Sequence, residues 1–234
     1  MKFIRRLLAL ILLCLLCVGG YLGYKGYVKY EDALEYMSID QKAEEIKASP
    51  SYTPLKELPD IYLNAVVAVE DKRFYKHPGI DAIAIGRAIK NNIHARQLIE
   101  GGSTITQQLA KNMYFTQERS LIRKVAEGFM AIALERKFSK DEILELYVNS
   151  IYFGDGYYCV ADASMGYFGK APQDMNDYEC TLLAGIPNAP SAYAPTVNPE
   201  LARLRQKKVL DSMVEEKYLT REEADAIVSA AAGS

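Results

Sequence analysis

Histidine is scarce in this chain of 234 residues: His77 and His94 are the only two. No grouping of His, Cys, Asp and Glu falls at metal-ligand spacing, so the sequence offers no dedicated metal site. Cysteine is nearly as sparse. Of the four, Cys14 and Cys17 lie in an apolar run, where they serve as small hydrophobes. Cys159 and Cys180 remain; they could pair if their geometry allows, but nothing in the spacing demands it. A surplus of charge is also missing, with 28 basic against 30 acidic residues, which argues against a nucleic-acid partner. Period-two alternation is rare, leaving little material for strands. Internal repeats and low-complexity tracts are absent apart from an Ala-rich C-terminal tail.

What is present begins with a long apolar run. Leu7 to Tyr24 holds 18 residues without a charge, LLALILLCLLCVGGYLGY. At ~1.5 Å per residue such a helix spans roughly 27 Å, close to the hydrocarbon thickness of a bilayer. Lys2, Arg5 and Arg6 precede it, which predicts a cytoplasmic N-terminus with the remainder outside. A cleaved signal peptide is the competing reading, with Val18-Gly19-Gly20 as its nearest cleavage site. Tyr21, Tyr24 and Tyr27 instead resemble interfacial anchors. Gly19 and Gly23 form a GxxxG pair, a pattern found where membrane helices pair.

The length fits one anchor and one globular domain. The expected division is residues 1–30 as cytoplasmic tip and anchor, 31–58 as juxtamembrane helix and linker punctuated by Pro50 and Pro54, and 59–228 as the domain. Three- and four-residue apolar steps dominate it, in TITQQLAKNMYF, SLIRKVAEGFMAIALERKF, KDEILELYVNSIYF and NPELARLRQKKVLDSMVEEKY, and upstream in ALEYMSIDQKAEEIKA. The predicted fold is mainly α. Charge is unevenly spread: residues 70–140 carry thirteen basic and seven acidic groups, net +6, while residues 141–234 carry seven and fifteen, net −8. A cationic block inside an acidic domain suits an anionic ligand, or is simply a solvated helix face.

Four segments hold candidate chemistry. In AVVAVEDKRFYKHPGID, an apolar run ends abruptly at Glu70 and Asp71. A carboxylate at the edge of a buried run is partly desolvated, which suits a general base, although a solvated acidic pair at a helix end is the commoner situation. By its own surroundings His77 reads as a structural histidine in a Pro-Gly turn. In EGGSTITQQLAKNMYF, Gly101 and Gly102 free the backbone, and Thr104 with Gln107 fits a capping box. Thr104, Gln108 and Asn112 then recur on one face with Lys111 beside them, a stripe suited to sugar and phosphate contact or to a plain surface helix. In RKVAEGFMAIALERKF, Arg123 and Lys124 stand four and three residues before Glu127, as an ion pair or as part of a site. The fourth segment, residues 140–170, is dense in aromatics: a sugar-binding wall or a packed subdomain.

Taken in order, EDKRFYKHPG, GGSTITQQLAKN, RKVAE, KDEILELYVN and YFGK resemble the successive motifs of glycosyltransferase family 51, the peptidoglycan glycosyltransferases. The resemblance spans about residues 55 to 225 and includes LLAGIPNAPSAYAP and RQKKVLDSMVEEKYL. It departs at Cys159, Asp162 and Ser164, where relatives usually carry Gly, Ala and Ala. The resemblance implies a lysozyme-like, mainly α fold and polymerisation of lipid II by inverting transfer, with release of undecaprenyl pyrophosphate. It implies Glu70 as general base and Glu127 as a second essential glutamate. It further implies Lys111, Arg123 and Lys124 at the pyrophosphate, and Asp71, Phe74, His77, Thr104, Gln108 and Asn112 lining the cleft. Mg²⁺ or Mn²⁺ on the substrate pyrophosphate is the cofactor it implies. The implied partners are lipid II, the growing strand, the bacterial membrane, and transpeptidases or other wall-synthesis proteins, with no nucleic acid. The implied location is the cytoplasmic membrane, single-pass, with the domain on the outer side. No SxxK, SxN or KTG motif follows the domain, so no attached transpeptidase is expected. A lytic hydrolase on a related fold and a non-catalytic scaffold are the rival readings.

Overall fold

The structure, a computed structural model, describes residues 2–97, 101–116, 118 and 120–232. Among these residues the chain is helical, and its only strand-like feature is one isolated bridge between Gly154 and Tyr157. The mainly α expectation therefore holds.

The first helix, α1 (Lys2–Tyr36), is the one described helix long and apolar enough to cross a membrane, with a mean hydropathy of 2.3 in its most apolar window. Its 35 residues span roughly 50 Å, well beyond the ~30 Å of a hydrocarbon core. The first part stands free of the domain, while the last part runs unbroken past residue 30 and packs along α6 (Leu121–Lys137). Tyr21 and Tyr24 are exposed, but Tyr27 meets the Phe129 ring edge-on, 5.5 Å between centroids.

The helix expected over ALEYMSIDQKAEEIKA is split. α1 stops at Tyr36, and Ser38 opens α2 (Ile39–Lys47) through a capping box with Gln41. A serine side chain that satisfies the amide three residues on also ends the preceding helix, which periodicity alone does not register.

The same logic starts most of the remaining helices. Thr104 caps α5 (Ile105–Tyr114) in the predicted box with Gln107. Ser120 caps α6, Ser139 caps α7 (Lys140–Val148), and Asn198 followed by Pro199 opens α11 (Pro199–Glu215). α3 (Asp60–Glu70) carries the buried run Ala65, Val66, Val67 and Ala68 into the core against α9 (Asp177–Gly185) and α11. α4 (Ala82–Ala95) begins on an Asp81 cap and lies beside α6. α8 (Val160–Phe168), α10 (Pro190–Tyr193) and α12 (Arg221–Ala232) complete the domain.

One continuous apolar cluster joins α3, α5, α6, α7 and α9 through Tyr62, Leu109, Met130, Ile143, Tyr147 and Leu183. Each such side chain, removed from water, stabilises by about 1.5–3 kcal/mol. Much of the aromatic segment belongs to this core: Tyr147 and Phe153 are fully buried, whereas Tyr152 and Tyr158 are exposed. Cys159 and Cys180 are both buried free thiols.

Candidate active site

Glu70 is the last residue of α3. Asp71 then leaves helical geometry at φ −156°, ψ 78°, turning the chain away and leaving the Glu70 carboxylate at the edge of the core. Its side chain is only 7% exposed. Both oxygens are engaged: Gln108 Nε2 on α5 donates to Oε2 at 2.9 Å, and Arg205 Nη2 on α11 donates to Oε1 at 3.1 Å. Behind Gln108, the Tyr147 hydroxyl donates to its Oε1 at 3.3 Å. Burial, and then the nearby Glu70 carboxylate, push the Tyr147 hydroxyl well above the ordinary tyrosine value, so it remains a donor. A relay of donors therefore runs from Tyr147 through Gln108 to Glu70.

The second carboxylate sits on α6. Glu127 is 1% exposed and faces Arg123 Nη1 and Lys124 Nζ, each at 2.7 Å. Lys124 also donates to Ser103 Oγ at 2.7 Å, tying the segment before α5 to α6. The Arg123 contact is close but poorly aligned: its Nε and Nη1 are buried without a hydrogen-bond partner, as is Glu127 Oε1. Buried donors left unsatisfied cost about 1–3 kcal/mol, so this guanidinium retains unused capacity for an anion.

Lys111, one turn along α5 from Gln108, lies between the two carboxylates. Its ammonium group makes no hydrogen bond or ion pair with the described residues, yet it is within electrostatic reach of Glu70, Glu127, Arg123 and Lys124. Burial lowers its pKa below the ordinary lysine value, and the Arg123 and Lys124 charges lower it further, against the pull of the two glutamates. Counting Arg205, the site thus holds four cations against two carboxylates, a place where an anion would be stabilised. The side chain of Asn112, half-buried beside Lys111 on α5, makes no hydrogen bond with the described residues.

The remaining predicted site residues form the frame beneath. Asp71 is buried and accepts from His77 Nε2 at 2.9 Å and from the Ile105 amide at 3.1 Å. His77 Nδ1 accepts from the Gly79 amide at 3.1 Å, so the ring proton lies on Nε2, facing Asp71. Gly79 has φ +95°, and a Cβ there would lie 3.0 Å from the Ala131 carbonyl oxygen of α6. Its own carbonyl accepts from the Thr104 hydroxyl at 2.6 Å. Phe74 is fully buried, with Lys140 Nζ 4.4 Å above its ring. Asp71, Phe74, His77 and Thr104 therefore face inward, binding the turn after Glu70 to the starts of α5 and α7 and to α6, rather than opening onto a cleft. Their polar groups are already paired within the fold.

Arg205 is the functional side chain that sequence reasoning missed. It emerges from α11 with Nε donating to the Gly185 carbonyl at 3.2 Å, and a Cβ on Gly185 would lie 2.9 Å from its Cγ. A signal existed: Arg205 shares a helix face with the buried Ala202 and Val209. A cation on a core-facing stripe requires an acid partner.

Next to the cation cluster lies an apolar groove of about 620 Å³. Leu22 of α1, Ile85 and Ile89 of α4, and Val125 and Phe129 of α6 line it, and Ser103 and Lys124 stand at its polar end. No group of three His, Cys, Asp or Glu among the described residues is placed to hold a metal ion. Glu70 and Glu127 already face cations, so the residues present do not form a metal cage.

The transglycosylase family profile matches residues 39–214. Penicillin-binding protein 1A of Neisseria lactamica is 47% identical over 174 residues, covering 74% of this chain and 22% of that protein. Penicillin-binding protein 1F of Bacillus subtilis is 43% identical over 190 residues, covering 80% and 27%. A crystal structure of penicillin-binding protein 1A from Haemophilus influenzae aligns with a TM-score of 0.45 and 25% identity, over 75% of this chain and 17% of that one. The chain spans about a quarter of the length of the curated relatives it matches.

Proposed function

The chain belongs to the transglycosylase family, and from that premise we propose that it is a membrane-anchored peptidoglycan glycosyltransferase acting on lipid II. One observation carries the reading: a buried, hydrogen-bonded carboxylate, Glu70, shares a site with a three-cation cluster, with Lys111 in reach of both.

In this reading Glu70 is the general base. It takes the proton of the 4-hydroxyl of the acceptor's N-acetylglucosamine as that oxygen attacks C1 of the donor's N-acetylmuramic acid. The new C–O bond forms opposite the leaving oxygen, the configuration inverts, and undecaprenyl pyrophosphate departs with the bonding pair. A pyrophosphate leaves as a stabilised anion, so it needs cations more than a strong acid. Lys111, Arg123 and Lys124 supply them, and Glu127 holds the latter two on one face of α6. Gln108 and Arg205 fix the Glu70 carboxylate, and Asn112 offers a neutral contact to sugar. The arrangement matches the inverting logic of two-carboxylate sugar chemistry, with a sugar hydroxyl in place of water. The apolar groove beyond Lys124 takes the prenyl chain. A divalent ion such as Mg²⁺ or Mn²⁺ would arrive on the phosphate oxygens and add charge neutralisation there; no step here depends on it.

Residues 7–24 of α1 are read as the membrane span, with Lys2, Arg5 and Arg6 on the cytoplasmic side and the domain on the outer face. The growing glycan strand, and transpeptidases or other wall-synthesis proteins, are the remaining partners of the reading. The deciding experiment incubates the full-length chain in detergent with lipid II. Polymer is the expected product; cleavage of preformed glycan without polymerisation would assign a hydrolase instead, and no reaction with either substrate would leave a binding module.

A further inference from the structure

The apolar helix α1 has one buried residue, Gly26. A Cβ at that position would lie 2.5 Å from Val125 Cγ1, 2.7 Å from Val125 Cβ and 3.2 Å from the Ala126 amide nitrogen. Both a β-branched side chain, which is stiff at χ1, and the α6 backbone stand in the way, so neither yields cheaply. Gly19, Gly20 and Gly23 differ: nothing lies within 4 Å of a Cβ on any of them. The close approach is thus confined to one position, and it is continued one turn along α6 by the Tyr27 and Tyr30 rings on Phe129, at 5.5 and 6.0 Å.

The place where α1 touches α6 gives the contact its meaning. Val125 is flanked by Arg123 and Lys124 on one side and Glu127 on the other. Residues two apart on a helix point about 200° away from each other, so α1 presses on one side of α6 while Arg123 and Glu127 project from the other. Because interiors are close-packed, a displacement of α6 at Val125 moves the cations with it. α1 also supplies Leu22 to the groove whose polar end is Lys124.

We propose that α1 is a wall of the active site as well as a tether, and that Gly26 is a positioning residue that sets how far the Arg123–Lys124–Glu127 face of α6 advances into the cleft. This rests on the reading that the cluster receives the donor's pyrophosphate.

The test uses the full-length chain in lipid nanodiscs. Gly26→Ala adds one methyl group and improves helix propensity, so α1 itself is not weakened. It should raise KM for lipid II and lower kcat/KM about tenfold or more, as a small misplacement of binding groups does. Gly23→Ala should stay within about twofold of wild type. Val125→Gly removes the side chain that the added methyl meets, and Gly26→Ala combined with Val125→Gly should recover activity over Gly26→Ala alone. Amide exchange across residues 121–129 should rise in Gly26→Ala, stay unchanged in Gly23→Ala and fall back in the double variant. Wild-type rates and exchange in Gly26→Ala would overturn the proposal, as would exchange across residues 121–129 in the double variant that stays as high as in Gly26→Ala. If Val125→Gly alone loses helicity, the contrast in exchange between Gly26→Ala and Gly23→Ala decides. If the wild-type chain fails to polymerise lipid II, the functional reading falls, while the exchange data still report on the seam.

Discussion

The two glutamates of the site are held in opposite ways. Glu127 is held locally: Arg123 and Lys124 reach it from the previous turn of the same helix. Glu70 is held from a distance: Gln108 lies 38 residues along the chain and Arg205 lies 135. A local cluster forms as soon as its helix forms. A carboxylate fixed from α5 and α11 is placed only when the core has assembled, so its position is as precise as the packing beneath it. The difference suits the two tasks: the anion-binding face keeps its internal geometry and is placed as one body by whatever packs on α6, whereas a base must meet one proton within hydrogen-bond reach.

The sharpest way to break this comparison is Glu70→Gln. The amide keeps the shape but not the basicity, so polymerisation of lipid II should fall about 10³-fold, within the range that general-base catalysis supplies, with far-ultraviolet circular dichroism unchanged. Retained turnover would remove Glu70 from the mechanism. Next in size is Lys111→Ala, for which kcat/KM on lipid II should drop about 10²-fold, as when one donor to a developing anion is removed.

The protonation of Lys111 sharpens the point. Burial and its cationic neighbours lower its pKa below the ordinary lysine value. The charged form is complete below that lowered pKa and is lost as pH rises through it, so donor affinity should decline on the alkaline side earlier than for an exposed lysine. Lys111→Arg, which stays charged throughout, should push that alkaline limb upward in a pH series of KM.

A smaller effect is expected at the distant end of the Glu70 clamp. Arg205→Lys keeps a charge but loses the planar fork, and kcat should fall about tenfold with little change in KM for lipid II. A change in KM alone would show that Arg205 binds substrate and does not position the base. The smallest effect on turnover belongs to the frame. Asp71→Asn weakens a buried network that includes His77 and the Ile105 amide. It should cost about 1–3 kcal/mol of stability, seen as a lower melting temperature of the full-length chain, with turnover in the cold nearly intact.

Much of this molecule was legible before any fold was known. The apolar run of α1, the cap at Thr104, and the grouping of Arg123, Lys124 and Glu127 all follow from spacing along one helix. The break at Ser38 was missed because periodicity continues across it while the capping serine interrupts the backbone. Arg205 was missed because its partner lies on another helix, and the apolar register that betrays it shows only that it needs an acid, without saying which one. Asp71, Phe74 and His77 stood in the cleft only by family resemblance, and His77 by its own surroundings read as structural; in the structure all three are buried and turn inward, because a tight turn after a buried helix has to satisfy its own polar groups.

By itself the sequence determined the periodicity, the caps, the membrane-length helix, the family motifs and the local charge cluster, since each is encoded within a few turns of one helix. Only the tertiary structure decided which cation meets Glu70, which motif residues face the core, and that Gly26 lets α1 close on α6. Those contacts join residues far apart in the chain, and their geometry exists only after helices pack at fixed distances set by side-chain volume.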